Sequence, residues 1–513
     1  MPSRVDPNHP ATGVAVSKAV SRANWAAAKA EIEHGGFFEQ AGIGALERPV
    51  ADRLAETISA RDFGALGDDS GVTIAEWLTG GQYSRGAADL TELRAMTGIA
   101  DLELTDTIDW AAITAAKNFA LERPVYLPAA KTYRIARALV FAQGGLLGEM
   151  SSSGSPMHNS IIRRKAGSPA SDVIRLEQSG NNRHFFFKNL TIVGGTRGLY
   201  GIPVGGERHI EQQSVFENIY FGGAVEEGFF FDGLQAIGCH FDHIIAENCG
   251  SHGIRFTGFI NGSQISDGRA VDCGGHGFMF ENTHAEAAVP GLMLSSLVAE
   301  YNQGAGIALI GVQAALYSPY FEFNDFDATG EPDLLLASTN TSPSKVHARV
   351  TCVQPYFAGI KQPSGVNVSG SAGGTQSLTI IDAYQVSSSA KINTNFLELV
   401  VVGRSDNFIV QGANRPVLIG SRGTDLIGAK TITTSGNLLG VCAPPTIPGG
   451  VLQVLASHSD GNVASYLLRR NDDGTVTALH TAGEDFLTFG VDGAGRITAT
   501  TTGGTATVSV HGH

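Results

Sequence analysis

Acidic residues recur at matching positions of a repeated segment in the middle of the chain. Glu247, Asp272 and Glu300 each follow a short apolar run. Two carboxyl groups can perform general acid/base chemistry when one is protonated and the other ionised. Glycosidic bonds are hydrolysed in this way, with carboxyl groups about 5–5.5 Å apart in retaining and about 6.5–9.5 Å apart in inverting mechanisms. We therefore predict these three acids as the catalytic set.

Residues suited to binding a sugar lie close to these acids in the sequence. Tyrosine rings pack on the C–H faces of pyranoses, and arginine pairs with a sugar carboxylate. A tyrosine at the edge of a strand is also ordinary packing. The predicted substrate-binding residues are Arg255, Arg269, His252, His276, Tyr301, Tyr320 and Glu322.

A second pair of acids, Asp232 and Glu281, forms the rival constellation. Thr257 stands between them at the matching position of the intervening repeat. Both acids are followed by turn-forming residues, Gly233 and Asn282, and acids at turns need no catalytic reason. This pair therefore ranks below the first set.

Two histidines and two cysteines also match between neighbouring repeats. His252 and His276 each precede a glycine, as Cys249 and Cys273 precede them by three residues. A stacked pair of imidazoles is more readily a structural ladder than a substrate contact, and no third ligand completes a metal site. Small buried cysteines need no function. We predict neither a metal nor a cofactor.

The elements that must position the acids form a repeat between about residues 185 and 325. A glycine before a short apolar strand recurs at spacings of 30, 25, 24 and 29 residues, and a second strand precedes each glycine in step. The apolar runs are too short for helical repeats, and a propeller blade needs about 40 residues. A coil of a parallel β-helix needs about 20 to 30. The anchoring glycines are Gly198, Gly228, Gly253, Gly277 and Gly306.

The repeat leaves two registers open for the acids. Aligned on the glycines, Glu247 and Glu300 share a column with Val271 between them, and Asp272 lies in the next column. Aligned on the apolar strands, Asp272 joins Glu247, Glu300 and Glu322 in one stack. A shift of one residue turns a side chain to the other face, so only one alignment can hold.

The whole chain divides into four predicted parts. Residues 1–60 form an N-terminal helical adapter or assembly segment with an alanine-rich helix at 15–34. Residues 61–150 form a cap with an inserted loop and a helix at 109–121. Residues 151–440 form the parallel β-helix body. Residues 441–513 alternate apolar with polar residues after a proline pair and form a small C-terminal β domain.

Composition excludes several classes of function. Lys and Arg number 35 against 49 Asp and Glu, for a net charge of −14, which opposes binding to nucleic acid or anionic membranes. Five cysteines without a CxxC pair are not a disulfide scaffold. The N-terminus lacks the apolar segment of a signal peptide, so we expect a soluble protein without a secretion signal.

Residues 45–150 resemble a known family. Arg61-Asp62-Phe63-Gly64-Ala65-Leu66-Gly67-Asp68, followed by Asp106-Thr107-Ile108-Asp109-Trp110 and Val125-Tyr126-Leu127-Pro128, resembles the start of the pectate-lyase-like β-helix superfamily. The segments Trp77-Leu78-Thr79-Gly80-Gly81 and Arg48-Pro49-Val50-Ala51-Asp52 resemble bacteriophage tailspikes and capsular depolymerases.

This resemblance implies an all-β, right-handed parallel β-helix that forms a homotrimer and cleaves a bacterial surface polysaccharide. It also implies a place in the virion or outside the cell, with the N-terminus attached to a phage tail or baseplate. Two alternatives stay open: a polysaccharide lyase with a His or Tyr base and Arg255 or Ca²⁺ as neutraliser, and a fibre that only binds glycan.

Overall fold

The computed structural model describes most of residues 58–385, together with isolated strands on either side. The gaps between 58 and 385 are 81–86, 129–130, 151–158, 179–183, 204–208, 211–213, 234, 284–288, 326–329, 339–347, 359–365 and 371–375. Outside that span the structure describes mainly strands, namely those at 37–38 and 48–49 and those that lie beyond residue 389. The helix predicted at 15–34 lies outside the described residues.

Parallel strands stacked on three sides form the body of the protein, which is a parallel β-helix. Each coil contributes one strand to each side. The first sheet contains Ile58–Ser59, Pro124–Leu127, Gly144–Gly148, Phe185–Val193, Val215–Gly222, His240–Glu247, Gln264–Ser266, Val289–Ser295, Val312–Tyr317, Arg349–Val353, Ser377–Ile381, Glu398–Val402 and Pro416–Ile419.

The second sheet follows the first after a single residue with positive φ. Three long strands, Phe185–Val193, Val215–Gly222 and His240–Glu247, bend at this residue and belong to both sheets. The other members of the second sheet are Thr132–Ile135, Ser160–Arg164, Arg269–Val271, Val298–Glu300, Tyr320–Glu322, Tyr356–Phe357 and Tyr384–Gln385.

The third sheet completes each coil and carries the strands that follow the anchoring glycines. It contains Leu139–Phe141, Ile174–Gln178, Leu199–Pro203, Phe229–Asp232, Ile254–Thr257, Phe278–Glu281, Ile307–Ile310, Leu334–Ala337, Val366–Gly370, Ala390–Asn393 and Phe408–Gln411. Three short strands lie between this sheet and the next coil: His209–Ile210, Gln235–Ile237 and Ile260–Asn261.

The repeat predicted from the glycines is confirmed. Leu199 pairs with Phe229, and the pairing continues through Ile254, Phe278 and Ile307. A Cβ on Gly253 would lie 2.7 Å from the carbonyl oxygen of Gly277, and one on Gly277 would lie 2.8 Å from that of Gly306. Glycine recurs because the next coil passes too close for any side chain.

The interior of the coils is filled by stacked aromatic and aliphatic side chains. Phe187, Phe216 and Phe241 stack on consecutive coils with ring centroids 5.7 and 5.0 Å apart and nearly parallel planes. Phe256 and Phe280 continue the stacking from the third sheet. Burial of these rings, together with the aliphatic side chains around them, removes apolar area from water and so stabilises the coils.

A cap covers the N-terminal end of the β-helix. Helix α1 (Ile74–Thr79) and helix α2 (Leu90–Thr97) form in the inserted segment, where the sequence suggested only a loop. Helix α3 (Ile108–Ala120) confirms the helix predicted at 109–121. The cap also contains the 3₁₀ turn Ala60–Phe63.

Asp109 explains part of the sequence pattern in the cap. Its buried carboxylate accepts hydrogen bonds from the backbone N–H groups of Leu66, Gly67 and Arg134 at 2.7, 3.1 and 3.0 Å. Burial raises the pKa of Asp109 to about 6. One side chain on helix α3 therefore fastens the loop after the 3₁₀ turn to the first coils.

Beyond the last parallel strand the pairing changes to antiparallel. One sheet contains Asp425–Ile432, Val451–His458, Val463–Arg470, Val476–Gly483 and Ala506–Gly512, and a hairpin joins Leu487–Val491 to Ile497–Thr501. At the other end of the chain Phe37–Phe38 pairs with Arg48–Pro49. The four-part division of the chain stays a proposal.

No helix among the described residues has the length and apolar character required to cross a membrane.

We expect Gly277→Ala to lower the free energy of unfolding by about 1–3 kcal/mol, because the added methyl group must displace the backbone of the next coil. Chemical denaturation measures this change. Gly223→Asn is the matched control: Gly223 has a φ of +64° and open space around it, and Asn248 adopts the same conformation one coil later. Equal stability of the Gly277 variant and the wild type would contradict the close approach.

Candidate functional site

The outward face of the second sheet carries a column of acidic residues. Backbone pairing places Glu247 opposite Val271, Val271 opposite Glu300, and Glu300 opposite Glu322; we call these four residues the acid column. The side chains of the preceding residues point inward and are buried: Ala246, Ala270, Ala299 and Phe321. The glycine-anchored register is confirmed, and the alternative stack that includes Asp272 is wrong.

Strand spacing sets the separations within the acid column. Glu300 and Glu322 lie one spacing apart, about 4.8 Å, and Glu247 lies two spacings, about 10 Å, from Glu300. All three glutamates are half-buried. One glutamate pair therefore lies on adjacent strands, near the carboxyl separation of retaining enzymes, and another lies two strands apart, slightly beyond the separation of inverting enzymes.

Glu247 is held by a tyrosine from the preceding coil. The hydroxyl of Tyr220 donates a hydrogen bond to Oε2 of Glu247 at 2.9 Å. The ring crosses Gly222, where an added Cβ would lie 2.7 Å from Cε1 of Tyr220. Burial and this hydrogen bond raise the pKa of Tyr220, so its proton stays on the phenol. Glycine at 222 is thus required for the contact.

Glu300 and Glu322 have different partners. Nη2 of Arg269 donates to Oε2 of Glu300 at 2.8 Å, with half of the arginine side chain exposed. The hydroxyl of Tyr320 donates to Oε2 of Glu322 at 2.7 Å. The ring of Tyr320 stacks on that of Tyr356 at 5.1 Å with 9° between the planes. One glutamate is therefore paired with a cation and its neighbour with a phenol.

A corner follows the acid column and carries two further predicted residues. Asp272 and Tyr301 both have positive φ, 53° and 55°, and their N–H groups bond to the carbonyl groups of Glu300 and Glu322 in the next coil. Asp272 is exposed and stands beside the column rather than in it. Its backbone conformation alone explains an Asp at this place.

Tyr301 lies where several carboxylates meet. Partial desolvation raises its pKa, and the charges of Glu322, Glu300 and Asp272 raise it further. Its ring packs against Phe323 with centroids 5.4 Å apart. The three acids therefore act on the same half-buried ring, which lies at the corner that follows the acid column.

Buried amides fix this corner from the inside. Nδ2 of Asn302, the residue after Tyr301, donates to the carbonyl of Ala270 at 3.1 Å and to Oδ1 of Asn324 at 2.9 Å. Cys249 and Cys273 occupy the same inner position in the two preceding coils and are buried. The inner column therefore holds Tyr301 in place from below.

The rival pair lies on the third sheet, in the predicted register. Asp232 pairs with Thr257, which pairs with Glu281. Asp232 accepts hydrogen bonds from the hydroxyls of Tyr200 and Thr257, both at 3.0 Å. Burial and the bond to Asp232 raise the pKa of Tyr200 to about 12. Both oxygens of Asp232 are thus engaged in holding the sheet surface.

His252 and His276 form a structural ladder. Their rings stack at 5.1 Å, and Nδ1 of His252 accepts a hydrogen bond from the backbone N–H of His276 at 2.9 Å. Nδ1 of His276 accepts in turn from the N–H of Ala305. Burial lowers the pKa of His252 to about 3 and that of His276 to about 4, with the charge of Arg255 contributing to both. The imidazoles are therefore neutral.

Arg255 belongs to a cluster that the sequence analysis missed. Its Nη1 donates to the buried carboxylate of Glu227 at 3.2 Å, and its guanidinium lies 4.6 Å from the ring centroid of Phe230. Nε of Arg197 donates to the other oxygen of Glu227 at 3.1 Å. Glu227 directly precedes the anchoring glycine Gly228. An acidic residue at that corner, with arginines at 197 and 255 in the neighbouring repeats, is the sequence signal that could have indicated this cluster.

No group of three or more metal-binding side chains occurs within the described part of the chain.

Sequence comparisons identify no relative: no protein-family model matches the chain, and no curated protein matches it.

Several solved structures are similar at low sequence identity. The A-module of mannuronan C-5 epimerase AlgE4 from Azotobacter vinelandii is 17% identical, with a TM-score of 0.42 over 69% of this chain and 100% of that one. The tailspike protein gp49 from Pseudomonas phage LKA1 is 12% identical, with a TM-score of 0.37 over 89% and 99%. The tailspike protein of Acinetobacter phage vB_ApiP_P1 is 12% identical, with a TM-score of 0.38 over 90% and 87%. The fold assignment itself rests on the strand pairing.

We expect acid to destabilise the protein through the histidine ladder. Unfolded histidine has a pKa near 6.5, whereas the folded values are lowered, so this stability is present above about pH 6.5 and is lost as the pH falls toward 4. His252→Gln should reduce the loss of unfolding free energy between pH 7 and pH 5 by about 2 kcal/mol.

Denaturant titrations of both proteins at the two pH values measure this difference. His240→Gln, at an exposed position of the first sheet, is the control and should keep the wild-type dependence. An unchanged slope in the His252 variant would show that the imidazole is not held neutral.

Proposed function

We propose that the protein is a tailspike-like depolymerase that hydrolyses glycosidic bonds of a bacterial surface polysaccharide. The observation that carries this proposal is the acid column, in which Glu247, Glu300 and Glu322 face outward with distinct partners. The sequence resemblance of residues 45–150 supports the class of substrate. Glycosidases need two carboxyl groups and little else from the protein at the reacting atoms.

Glu300 is the proposed ionised carboxylate. The guanidinium of Arg269, 2.8 Å away, supplies the positive charge that suits a nucleophile or general base. The arginine side chain is about half exposed, whereas that of Glu300 retains 15% exposure. Asp272, beside the column, adds negative charge that would favour an oxocarbenium-like transition state.

Glu322 is the proposed proton donor. It lies opposite Glu300 at one strand spacing, about 4.8 Å, which is close to the separation in retaining enzymes. Tyr320 fixes its orientation through the 2.7 Å hydrogen bond. The alternative donor is Glu247, whose strand lies two spacings from that of Glu300, so inward-leaning side chains would leave room for the water molecule of an inverting mechanism.

Aromatic rings next to these acids suit a carbohydrate. Tyr320 stacks on Tyr356, and Tyr301 packs on Phe323, so two pairs of rings flank the proposed carboxyl pair. Sugar rings pack on such faces while their hydroxyls bond to nearby polar groups.

The polysaccharide lyase alternative has weaker support at this site. A lyase base must accept a proton, but the pKa values of Tyr220, Tyr301 and Tyr320 are raised by burial and by neighbouring carboxylates. Nδ1 of both histidines already accepts a backbone hydrogen bond. Arg255, the proposed neutraliser, is engaged with Glu227.

The proposal includes the assembly that the resemblance implies. The protein would act as a homotrimer in the virion or outside the cell, attached to a phage tail or baseplate through its N-terminal segment. The histidines at 252 and 276 are then part of the scaffold rather than substrate contacts.

We expect Glu300→Gln to lower the rate of depolymerisation at least 10³-fold while leaving stability nearly unchanged, because a half-exposed ion pair contributes about 0–1 kcal/mol to folding. Release of reducing ends from a panel of purified capsules, exopolysaccharides and O-antigens measures activity. Formation of unsaturated uronates, followed by ultraviolet absorbance, identifies lyase chemistry instead.

Glu217→Gln is the matched control, since Glu217 forms a similar surface ion pair with Lys188 on the first sheet. Full activity of the Glu300 variant would move the site to Asp232 and Glu281. Absence of cleavage across the whole panel by the wild type would favour a glycan-binding fibre.

The anomeric configuration of the first product distinguishes the two proton donors. With Glu322 as donor the product should retain the configuration of the cleaved bond, because the carboxyl groups are one spacing apart. Proton NMR during early hydrolysis records the configuration. An inverted product would transfer the donor role from Glu322 to Glu247.

A further inference from the structure

A groove lies on the outward face of the first sheet, away from the acid column. It has a volume of about 350 Å³ and crosses the strands Val289–Ser295, Val312–Tyr317, Arg349–Val353 and Ser377–Ile381. Its floor is made of small or apolar side chains and its sides of hydrogen-bonding groups. Residues that line the groove include Met293, Ala315, Gln313, Arg349, Thr351 and Thr379. The volume is within the range of ligand sites.

The register explains why the groove is open. Met293, Ala315, Thr351 and Thr379 form one outward column, in which the three short side chains of Ala315, Thr351 and Thr379 follow Met293 on consecutive coils. Gln313 and Arg349 form the neighbouring column. A wall of polar groups therefore borders a shallow apolar floor, which is the arrangement that accepts the two faces of a sugar ring.

Arg349 gives the groove a positive charge. Its side chain is exposed, and it forms no ion pair or hydrogen bond with the other residues that the structure describes. In the same column, Ser377 follows Arg349 and the acidic residue Glu398 follows Ser377, so Glu398 lies two strand spacings, about 10 Å, from Arg349. In a chain of net charge −14, an unpaired arginine in a groove favours an anionic ligand.

A single coil runs from the groove to the acid column. The strand Val312–Tyr317 leaves the groove, turns at Ser318, and continues as Tyr320–Glu322. Tyr317 is 44% exposed on this path, and the stacked rings of Tyr320 and Tyr356 follow it. Tyrosine faces thus connect Arg349 to the proposed carboxyl pair.

We propose that this groove is a subsite for an acidic sugar, and that the polysaccharide crosses the coils from Arg349 over Tyr317 to Glu300 and Glu322. The inference rests on the proposed function and deepens it by naming an anionic repeat unit as the substrate class. Arg349 forms a charge-assisted hydrogen bond with a sugar carboxylate, and Gln313 and Thr351 bond to hydroxyls.

Binding to the intact protein tests this assignment. The probes are sized oligosaccharides of polygalacturonate, alginate, hyaluronan and polysialate, with dextran and xylan as neutral counterparts, measured by isothermal titration calorimetry. We expect at least one acidic probe to bind, Arg349→Gln to weaken it about tenfold or more, and neutral probes to be unaffected. Arg61→Gln, at an exposed position of the cap, is the matched control and should bind like the wild type.

Three outcomes overturn the assignment: no acidic probe binds, Arg349→Gln binds with wild-type affinity, or the variant changes the oligomeric mass in sedimentation, which assigns the groove to a second copy of the chain. The proposed hydrolysis is tested separately. Weaker binding of an acidic probe by the Arg349 variant, with no polysaccharide of the panel cleaved by the wild type, refutes hydrolysis and leaves the groove assigned. Cleavage with a wild-type KM in the Arg349 variant refutes the groove and leaves hydrolysis standing.

Discussion

Close stacking of parallel strands is the constraint on which the structure depends. Successive coils lie one strand spacing apart, about 4.8 Å, and the backbone of one coil passes within 3 Å of where a Cβ on the next would stand. Only glycine fits at Gly253 and Gly277, so the coils can wind in one register. That register, rather than any local motif, brings Glu247 and Glu300 into one column although 53 residues separate them in the chain.

The three glutamates of the acid column differ in their surroundings because each has a different hydrogen-bonding partner. Glu300 meets an arginine on the preceding coil, whereas Glu322 meets a tyrosine two residues earlier on its own strand. Glu247 meets a tyrosine whose ring can cross the column only because residue 222 is glycine. A repetitive scaffold can thus hold a carboxyl pair with unequal partners, which acid/base chemistry requires.

Much of the fold was predictable because its cause is local. Glycine spacing and short apolar runs report coil length directly, and helix α3 follows from an alanine-rich segment with acidic residues at its start. The glycine alignment matches the observed register, but alignment on the apolar strands gave a second one, so the sequence left the choice open. Helices α1 and α2 were missed because each is shorter than nine residues and is stabilised by its N-cap, a Thr73–Glu76 capping box in α1 and Asp89 in α2, and by packing in the cap.

The site was less predictable because partners come from different coils. The sequence placed Arg269 and Glu300 in neighbouring repeats, but it could not show that the arginine reaches Glu300 rather than Asp272. The buried Glu227 between Arg197 and Arg255 depends on loop conformation, which has no periodic signal. His252 and His276 were correctly expected to stack, yet only the contacts of Nδ1 show that both are structural.

Cross-linking of paired cysteines tests the register most directly. Val271→Cys with Glu300→Cys places two thiols on opposed residues of neighbouring strands, within the Cα separation that a disulfide accepts. Mild oxidation followed by peptide mass spectrometry should show this cross-link, and should show none between the same Glu300→Cys and Asp272→Cys. The reverse result would place Asp272 in the column and contradict the proposed arrangement of the acids.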